Sequence, residues 1–201
     1  MEANIQPISP RQGDALIIVD VQDDFLPGGS LAVPNGDEVV SPLNTLIDTF
    51  ESRGLPIFAT RDWHPENHCS FEARGGPWPP HCIADSPGAR FAADLRLPAS
   101  ATVVSKATTP DKDAYSGFGG TELDVLLRKA DVQRVFVGGL ATDYCVLNTV
   151  RDALSLGYEV MLVTDAVRPV EVEPGDGERA MDEMCELGAI AVTAEQVSAA
   201  S

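Results

Sequence analysis

The chain has 201 residues, a length that suits one domain with one substantial core. It carries 14 Lys and Arg against 31 Asp and Glu, so its formal net charge is −17, and nucleic acids and anionic membranes are disfavoured as partners. Hydrophobic residues make up 44% and charged residues 22%, as in folded globular chains and unlike disordered ones. We therefore expect one folded domain spanning residues 1–201.

Residues 1–13 lack the basic start and long apolar run of a signal peptide. No stretch reaches the roughly 18 consecutive apolar residues of a membrane-spanning helix. The four cysteines stand at irregular spacings, and without a secretory signal a disulfide framework is the less favoured interpretation of them. Cys69 and Cys82 also lack the paired Cys-x-x-Cys spacing of a structural zinc site. These observations predict a cytoplasmic location.

Six short apolar runs have the composition of strands. Several are nearly continuous in Val, Ile, Leu and Phe, which is typical of strands buried on both faces of a parallel sheet. Four segments between them carry apolar residues at three- and four-residue spacing, the pattern of amphipathic helices. The predicted strands are residues 15–19, 56–60, 101–105, 134–137, 159–163 and 189–192, and the predicted helices are about residues 38–53, 121–130, 143–156 and 176–186.

This order of strands and helices predicts the fold class. Strands that alternate with helices imply right-handed crossovers, with helices on both faces of the sheet. Gly54, Gly157 and Gly188 follow three of the predicted helices, where a left-handed residue ends many helices. We expect an α/β protein, a three-layer α/β/α sandwich with a mostly parallel central sheet.

Residues 61–98 break the alternation, because they are rich in Pro and Gly and show no clear period. Loops of this length are usually functional or disordered, and all three histidines of the chain, His64, His68 and His81, lie in this one. Asp62 and His64 project to the same side of an extended segment, and His81 can return across the loop to complete a set of oxygen and nitrogen ligands. The sequence thus predicts one divalent transition metal ion (zinc, iron or manganese). The alternative is that Asp62 caps a turn and the histidines lie on the surface.

Three scarce or reactive residues follow predicted strands, where open α/β sheets bind their ligands. Asp20 ends the first strand, Lys106 follows the third, and Cys145 lies in a glycine-rich turn, residues 138–145 (GGLATDYC), after the fourth. A cysteine in the first turn of a helix is expected to have a lowered pKa, and free backbone N–H groups there can bind an oxyanion. Together the three residues predict a nucleophile, a carboxylate base and a cation.

Asp20 and Cys145 each have a purely structural interpretation as well. Asp20 alone would be a turn residue, and Cys145 alone would equally well be a small buried hydrophobic residue. Asp143 is predicted to be the N-cap of the helix that carries Cys145, with a second carboxylate beside the thiol as the less favoured alternative.

In combination, the motifs resemble the nicotinamidase branch of the isochorismatase-like cysteine hydrolases. The similarity runs from about residue 14 to residue 192, and its motifs occur in order along the chain. They are ALIIVDVQDDF at 15–25 with GGSL at 28–31, RDWHPENHCSF at 61–71, WPPHC at 78–82, Lys106 with AYSGF at 114–118, and GLATDYCV at 139–146.

The resemblance implies the isochorismatase-like fold and the hydrolysis of nicotinamide, and also of pyrazinamide, through a cysteine thioester in NAD salvage. Asp20, Lys106 and Cys145 would be the catalytic residues, and the backbone N–H groups of Ala141 and Cys145 would form the oxyanion hole. A cis peptide bond before Ala141 is expected. The remaining site residues implied are the metal ligands Asp62, His64 and His81, and the ring-binding residues Phe25, Leu31, Trp78 and Tyr115.

Several points stay open at this level. The fourth metal ligand could be His68, Ser70 or water, and the oligomeric state, including a homo-oligomer, is not determined. A related amidase acting on carbamoyl or ureido substrates would share the three catalytic residues but usually lacks the metal loop. An isochorismatase would not require the thiol of Cys145, and a non-catalytic binding protein would not require the catalytic set.

Overall fold

The computed structural model describes residues 7–198 and contains a six-stranded sheet in which every neighbouring pair of strands is parallel. The strand order is β3-β2-β1-β4-β5-β6. The chain therefore builds outward from β1 in one direction and from β4 in the other, which places a topological switch point between β1 and β4. The strands are β1 (Asp14–Val19), β2 (Ile57–Asp62), β3 (Thr102–Lys106), β4 (Arg134–Leu140), β5 (Glu159–Arg168) and β6 (Ile190–Val192).

Helices cover both faces of this sheet. The helices are α1 (Val40–Ser52), α2 (Leu123–Lys129), α3 (Leu147–Ser155), α4 (Asp176–Glu186) and α5 (Ala194–Ser198). One apolar cluster packs α1 and α5 against one face, and a second packs α2, α3 and α4 against the other. All six residues of β1 are buried, as expected for a strand with a helical layer on each side. The predicted fold class, a three-layer α/β/α sandwich, is confirmed.

The predicted strands and helices are all present, with two differences. The segment predicted as one helix over 143–156 begins instead with a π-helical turn, Thr142–Val146, and only then becomes α3. Helix α5 was not predicted, because five residues are too short to show a helical period. The three glycines predicted to end helices, Gly54, Gly157 and Gly188, all have positive φ.

No helix within residues 7–198 is both long enough and apolar enough to cross a lipid bilayer. The prediction made for residues 1–13 falls partly on residues 1–6, which lie outside the described part of the chain.

Helix α2 offers a stability test of this packing, because it carries one fully buried and one exposed apolar side chain. Leu127 is completely buried, whereas Val125 is 65% exposed. We expect Leu127→Ala to lower the free energy of unfolding by about 2–5 kcal/mol, since it leaves a cavity under the helix. Val125→Ala, the matched control, should change it by less than about 0.5 kcal/mol. Chemical denaturation of both variants measures the difference, and equal values would contradict the packing described.

Candidate active site

The carboxyl ends of three neighbouring strands bring together two carboxylates and one ammonium group. Asp62 ends β2, Lys106 ends β3 beside it in register, and Asp20 follows β1. Lys106 Nζ lies 2.9 Å from Asp20 Oδ2 and 2.5 Å from Asp62 Oδ1, and it also donates to the carbonyl of Ala114 at 3.1 Å. All three charged side chains are buried. The ammonium group is thus the link between two carboxylates that would otherwise repel each other.

The thiol of Cys145 completes this cluster from the other side of the switch point. Its Sγ lies 3.5 Å from Lys106 Nζ, and carboxylate oxygens of Asp20 and Asp62 both lie within 4.8 Å of it. The three residues predicted as nucleophile, base and cation are therefore in contact, although they come from positions 20, 106 and 145 of the chain.

The charges in the cluster follow from burial and from the central ammonium group. Burial alone would lower the pKa of Lys106, but the carboxylates of Asp20 and Asp62 outweigh it and raise that pKa well above its ordinary value. Burial would raise the pKa of Asp62, but the ammonium group of Lys106 holds it below its usual range. Lys106 and Asp62 therefore form a charged pair.

Asp20 and Cys145 behave differently from this pair. Burial raises the pKa of Asp20, although Lys106 opposes the shift and Thr60 donates a hydrogen bond to Oδ1 at 2.7 Å. Burial likewise raises the pKa of Cys145 well above that of a free thiol, with Lys106 opposing and the neighbouring carboxylates adding to the effect. The expectation of a lowered thiol pKa is wrong, because burial and the two neighbouring carboxylates raise the pKa of Cys145 more than Lys106 lowers it. The raised pKa of Asp20 makes its carboxylate a stronger base for the thiol proton.

The turn that carries Cys145 has an unusual backbone. The peptide bond between Leu140 and Ala141 is cis, as the resemblance implied. Gly139, just before it, has φ 128°, a conformation that L side chains rarely adopt. Ala141, which directly precedes the π-helical turn, and Cys145, which lies within that turn, both line the same cleft. The two N–H groups of the predicted oxyanion hole thus belong to residues at the wall of the cleft.

The cleft in front of Cys145 is mainly apolar. Trp78 Nε1 donates to the Tyr115 hydroxyl at 3.0 Å, and the ring of Tyr144 packs against both of these aromatic rings. Among residues 7–198, no Lys or Arg lines this cleft. The lining residues are Phe25, Leu31, Val33, Asp62, Trp78, His81, Tyr115, Ala141, Tyr144, Cys145 and Val170.

All four side chains predicted to bind the ring, Phe25, Leu31, Trp78 and Tyr115, line this cleft. Three further apolar or aromatic wall residues were not assigned to the site from the sequence: Val33, Tyr144 and Val170. Tyr144 could have been assigned to the site from the sequence, because it directly precedes Cys145 in the chain. Val33 had the same kind of signal, because it lies two residues after Leu31 in the chain. Val170 carries no such signal, because its loop is remote in sequence from the other wall residues.

The predicted metal ligands form a compact buried group at one end of the cleft. Asp62, His64 and His81 offer ligand atoms that all lie within 4.8 Å of one another. His64 Nδ1 donates to the carbonyl of Ala107 at 3.2 Å, and His81 Nδ1 donates to that of Pro79 at 2.8 Å, since a carbonyl can only accept. The Nε2 atoms are therefore left with their lone pairs.

The buried His64 Nε2 atom supports a metal ion in this group. It has no hydrogen-bond partner in the described part of the chain, and a buried polar atom of this kind is rare unless another group satisfies it. Burial also lowers the pKa of His81, which favours the neutral ring that a metal requires. One carboxylate and two neutral imidazoles suit zinc, iron or manganese, so the residues present fit a divalent transition metal ion.

His68 and Ser70, two of the candidates for a fourth ligand, form hydrogen bonds elsewhere. His68 Nδ1 lies 2.7 Å from the hydroxyl of Ser70, and His68 Nε2 donates to the carbonyl of Lys112 at 3.0 Å. The His68 ring instead stacks on that of His64, with 4.2 Å between the ring centres. His68 does not belong to the ligand group found among the described residues.

Asp143 has a role that differs from both sequence interpretations. It is not an N-cap, because no side chain caps the π-helical turn. Its two carboxylate oxygens instead accept the backbone N–H groups of Val170 and Glu171 at 2.9 and 3.0 Å. The Glu171 carboxylate in turn accepts the N–H groups of Gly175 and Gly177 at 2.9 Å each. Asp143 thus ties the loop between β5 and α4, which carries the wall residue Val170, to the turn that carries Cys145.

Comparison with known proteins identifies close relatives. Residues 14–196 match the family described as the Isochorismatase domain. The nicotinamidase of Escherichia coli (strain K12) is 42% identical over 200 residues, which cover 89% of this chain and 94% of that protein. The crystal structure of the pyrazinamidase of Pyrococcus horikoshii in complex with zinc has 52% identity and a TM-score of 0.87, over 90% of this chain and 99% of that one. PnC1 from L. infantum in complex with nicotinate has 36% identity and a TM-score of 0.88, over 95% and 98% of the two chains.

The Asp143 contacts can be tested by hydrogen exchange. Asp143→Ala removes the acceptors of two backbone N–H groups, and hydrogen bonds to charged groups contribute about 1.5–3 kcal/mol each. We expect the amides of Val170 and Glu171 to exchange at least about tenfold faster in the variant.

The matched control is Asp165→Ala, because Asp165 accepts the backbone N–H of Ala194 at 2.9 Å in the same way. This variant should speed exchange at Ala194 and leave Val170 unchanged. Unaltered exchange at Val170 in Asp143→Ala would show that Asp143 does not hold the loop.

Proposed function

The chain belongs to the isochorismatase family, and within that family we propose that it hydrolyses nicotinamide to nicotinate and ammonia. The observation that carries this function is the contact of Asp20, Lys106 and Cys145 at the base of an apolar, aromatic cleft. A group of metal-ligating side chains lies at the end of the same cleft. The protein is thus an amidohydrolase with a cysteine nucleophile.

The first half of the reaction forms a thioester. Asp20 accepts the proton of the Cys145 thiol, and Sγ attacks the carboxamide carbon of the substrate. Asp20 then returns the proton to the amide nitrogen, the C–N bond breaks, and ammonia leaves. The raised pKa of Asp20 suits it to both steps, and the Lys106 ammonium group offsets the negative charge on whichever of the two groups is ionised.

The second half consumes one water molecule. Asp20 removes a proton from that water, the resulting oxygen nucleophile attacks the thioester carbon, and the C–S bond breaks. Nicotinate leaves and the thiol regains its proton, so each turnover converts one amide and one water into one acid and one ammonia. In both halves the carbonyl oxygen becomes negatively charged, and the backbone N–H groups of Ala141 and Cys145 would stabilise it.

The cleft explains how a small neutral aromatic ring is bound. Phe25, Leu31, Trp78 and Tyr115 supply apolar and aromatic surface, joined by Tyr144. Asp62, His64 and His81 would hold the divalent metal ion, which would supply a Lewis acid able to attract a ring nitrogen of the substrate. Zinc is the metal we propose, because the Pyrococcus pyrazinamidase with which this chain shares 52% identity is in complex with zinc.

The lining of the cleft also separates this substrate from the alternatives. Many carbamoyl and ureido substrates carry a carboxylate, which needs a cationic partner. The described residues that line the cleft include no Arg or Lys, and the Lys106 ammonium group is occupied by the carboxylates of Asp20 and Asp62. Pyrazinamide, which is also a flat, neutral, nitrogen-containing carboxamide, fits the same surface and is proposed as a second substrate.

The product nicotinate connects the reaction to NAD salvage. A cytoplasmic location stays a prediction, as do the homo-oligomer left open by the sequence and the single domain over residues 1–201.

The nucleophile is tested by replacing its sulfur. Cys145→Ala should lower the rate of ammonia release from nicotinamide by at least about three orders of magnitude, because no thioester can form. Cys185→Ala is the matched control, since Cys185 is a free and exposed thiol. It should keep the rate of the unmodified protein. Substantial nicotinate formation by Cys145→Ala, measured by chromatography, would rule out the covalent mechanism.

The metal group is tested with two histidines from the same loop. His81→Ala removes one of three ligands, so we expect the zinc content per chain to fall and the KM for nicotinamide to rise more than kcat falls. His68→Asn should retain about one zinc per chain at saturating metal, because both ring nitrogens of His68 bind other groups. Elemental analysis and steady-state kinetics measure both effects. Full zinc content in His81→Ala would contradict the proposed ligand set.

A further inference from the structure

Gln22 lies two residues after Asp20 and has no assigned role in the reaction, yet its side chain is fully buried and makes three hydrogen bonds. Its Nε2 donates to the carbonyl of Asp62 at 2.8 Å and to that of Ala89 at 3.0 Å. Its Oε1 accepts the backbone N–H of Asp62 at 2.8 Å. The amide thus binds both polar backbone groups of Asp62 at once.

The sheet explains why Asp62 needs this partner. Strands β1 and β2 pair as far as Val19 and Thr60, and the Asp20 N–H makes the last backbone hydrogen bond, to the Thr60 carbonyl at 3.2 Å. Asp20 then leaves the strand in a left-handed conformation, with φ 49°, while β2 continues to Asp62. The backbone of β1 therefore does not lie beside Asp62. Without another partner, the N–H and carbonyl groups of Asp62 that face β1 would be buried with no hydrogen bond. The Gln22 amide takes the place of the missing peptide group.

The Asp62 side chain connects the two parts of the site. Its Oδ1 contacts the ammonium group of Lys106 at 2.5 Å, and its Oδ2 lies 3.6 Å from His64 Nε2 in the ligand group. A carboxylate with two such partners has little freedom to move. Any rotation of the Asp62 backbone would therefore disturb the catalytic ammonium group and the metal ligands together.

We propose that Gln22 is a positioning residue, whose side-chain amide replaces the β1 backbone beside Asp62 and so sets the Asp62 carboxylate between Lys106 and the metal ligands. Its third hydrogen bond, to Ala89, ties the far part of the 61–98 loop to the same point. The kinetic part of this proposal rests on the function proposed above, whereas the metal-binding part does not.

The chain contains a matched control for this arrangement. The partly exposed Asn44 on α1 uses its side-chain amide in the same way, donating to the carbonyl of Asp94 at 2.9 Å and accepting the N–H of Arg96 at 2.8 Å. Asn44 does not line the cleft, and Asp94 and Arg96 lie outside the ligand group. Asn44→Leu therefore removes an equivalent pair of hydrogen bonds without touching the site.

The experiment compares Gln22→Met, Gln22→Glu and Asn44→Leu in the full chain. Gln22→Met keeps the side-chain length and removes all three hydrogen bonds, and Gln22→Glu loses at least one of the two donated bonds. Three quantities are measured for each variant: the affinity for zinc, by competition with a chromogenic chelator; kcat and KM for nicotinamide at saturating zinc; and the Tm of the metal-free protein.

We expect Gln22→Met to bind zinc about 10- to 100-fold more weakly, the usual effect of removing a group that orients a metal ligand. Its kcat should also fall at least about tenfold at saturating zinc, with a smaller change in KM, because Lys106 is displaced as well. The zinc affinity and kcat of Gln22→Glu should lie between those of Gln22→Met and those of the unmodified protein. Asn44→Leu should lower Tm and leave zinc affinity and kcat unchanged.

The proposal is overturned if Gln22→Met has a lower Tm but the zinc affinity and kcat of the unmodified protein, because Gln22 would then act only on stability. If Gln22→Met does not fold, Gln22→Glu decides: unmodified zinc affinity and kcat in that variant overturn the proposal, and a loss of both supports it. If the unmodified protein releases no ammonia from nicotinamide, the proposed function fails, while the zinc affinities still test the role of Gln22.

Discussion

The arrangement of the site depends on one buried ammonium group. Lys106 Nζ lies between the carboxylates of Asp20 and Asp62 and 3.5 Å from the thiol of Cys145. Two buried carboxylates at this spacing repel each other, and removing one partner of a buried ion pair typically costs about 3–5 kcal/mol. The same ammonium group therefore stabilises the strand ends against each other and supplies the positive charge that the reaction needs. One of the three lysines of an acidic chain occupies this position.

The sheet supplies the rigidity that holds these charges in place. Parallel strands end at one edge, but a side chain at that edge must also turn out of the sheet toward a ligand. Asp20 and Ala107, which follow β1 and β3, both have left-handed backbones, with φ 49° and 50°. Where β1 departs, the Gln22 amide satisfies the backbone of Asp62. Where the backbone of β1 turns out of the sheet, the Gln22 side chain thus makes the hydrogen bonds to β2 that the strand would otherwise make.

Much of the fold and of the site could be predicted from the sequence, for identifiable reasons. Buried parallel strands are nearly continuous apolar runs, so all six were recognisable, whereas the five-residue α5 has no period to detect. Asp20, Lys106 and Cys145 could be selected because they follow strands that meet at one edge. The prediction of a lowered pKa for the Cys145 thiol was wrong. Its position near a helix start can be read from the local sequence, whereas its burial depends on the whole tertiary structure. The N-cap role of Asp143 was wrong for a similar reason, because its partners lie 27 and 28 residues away.

The net charge of the chain predicts that nucleic acids and anionic membranes are disfavoured as partners, and its motifs determined the residue types of the site and the order of its elements. Only the tertiary structure decided which atoms meet: Val33 and Val170 at the cleft, the stacking of His68 on His64, and the Gln22 amide on Asp62. The physical reason is that strand composition and turn residues act over a few neighbouring positions. Contacts between loops depend on how the whole sheet brings distant segments together, and local sequence carries little information about them.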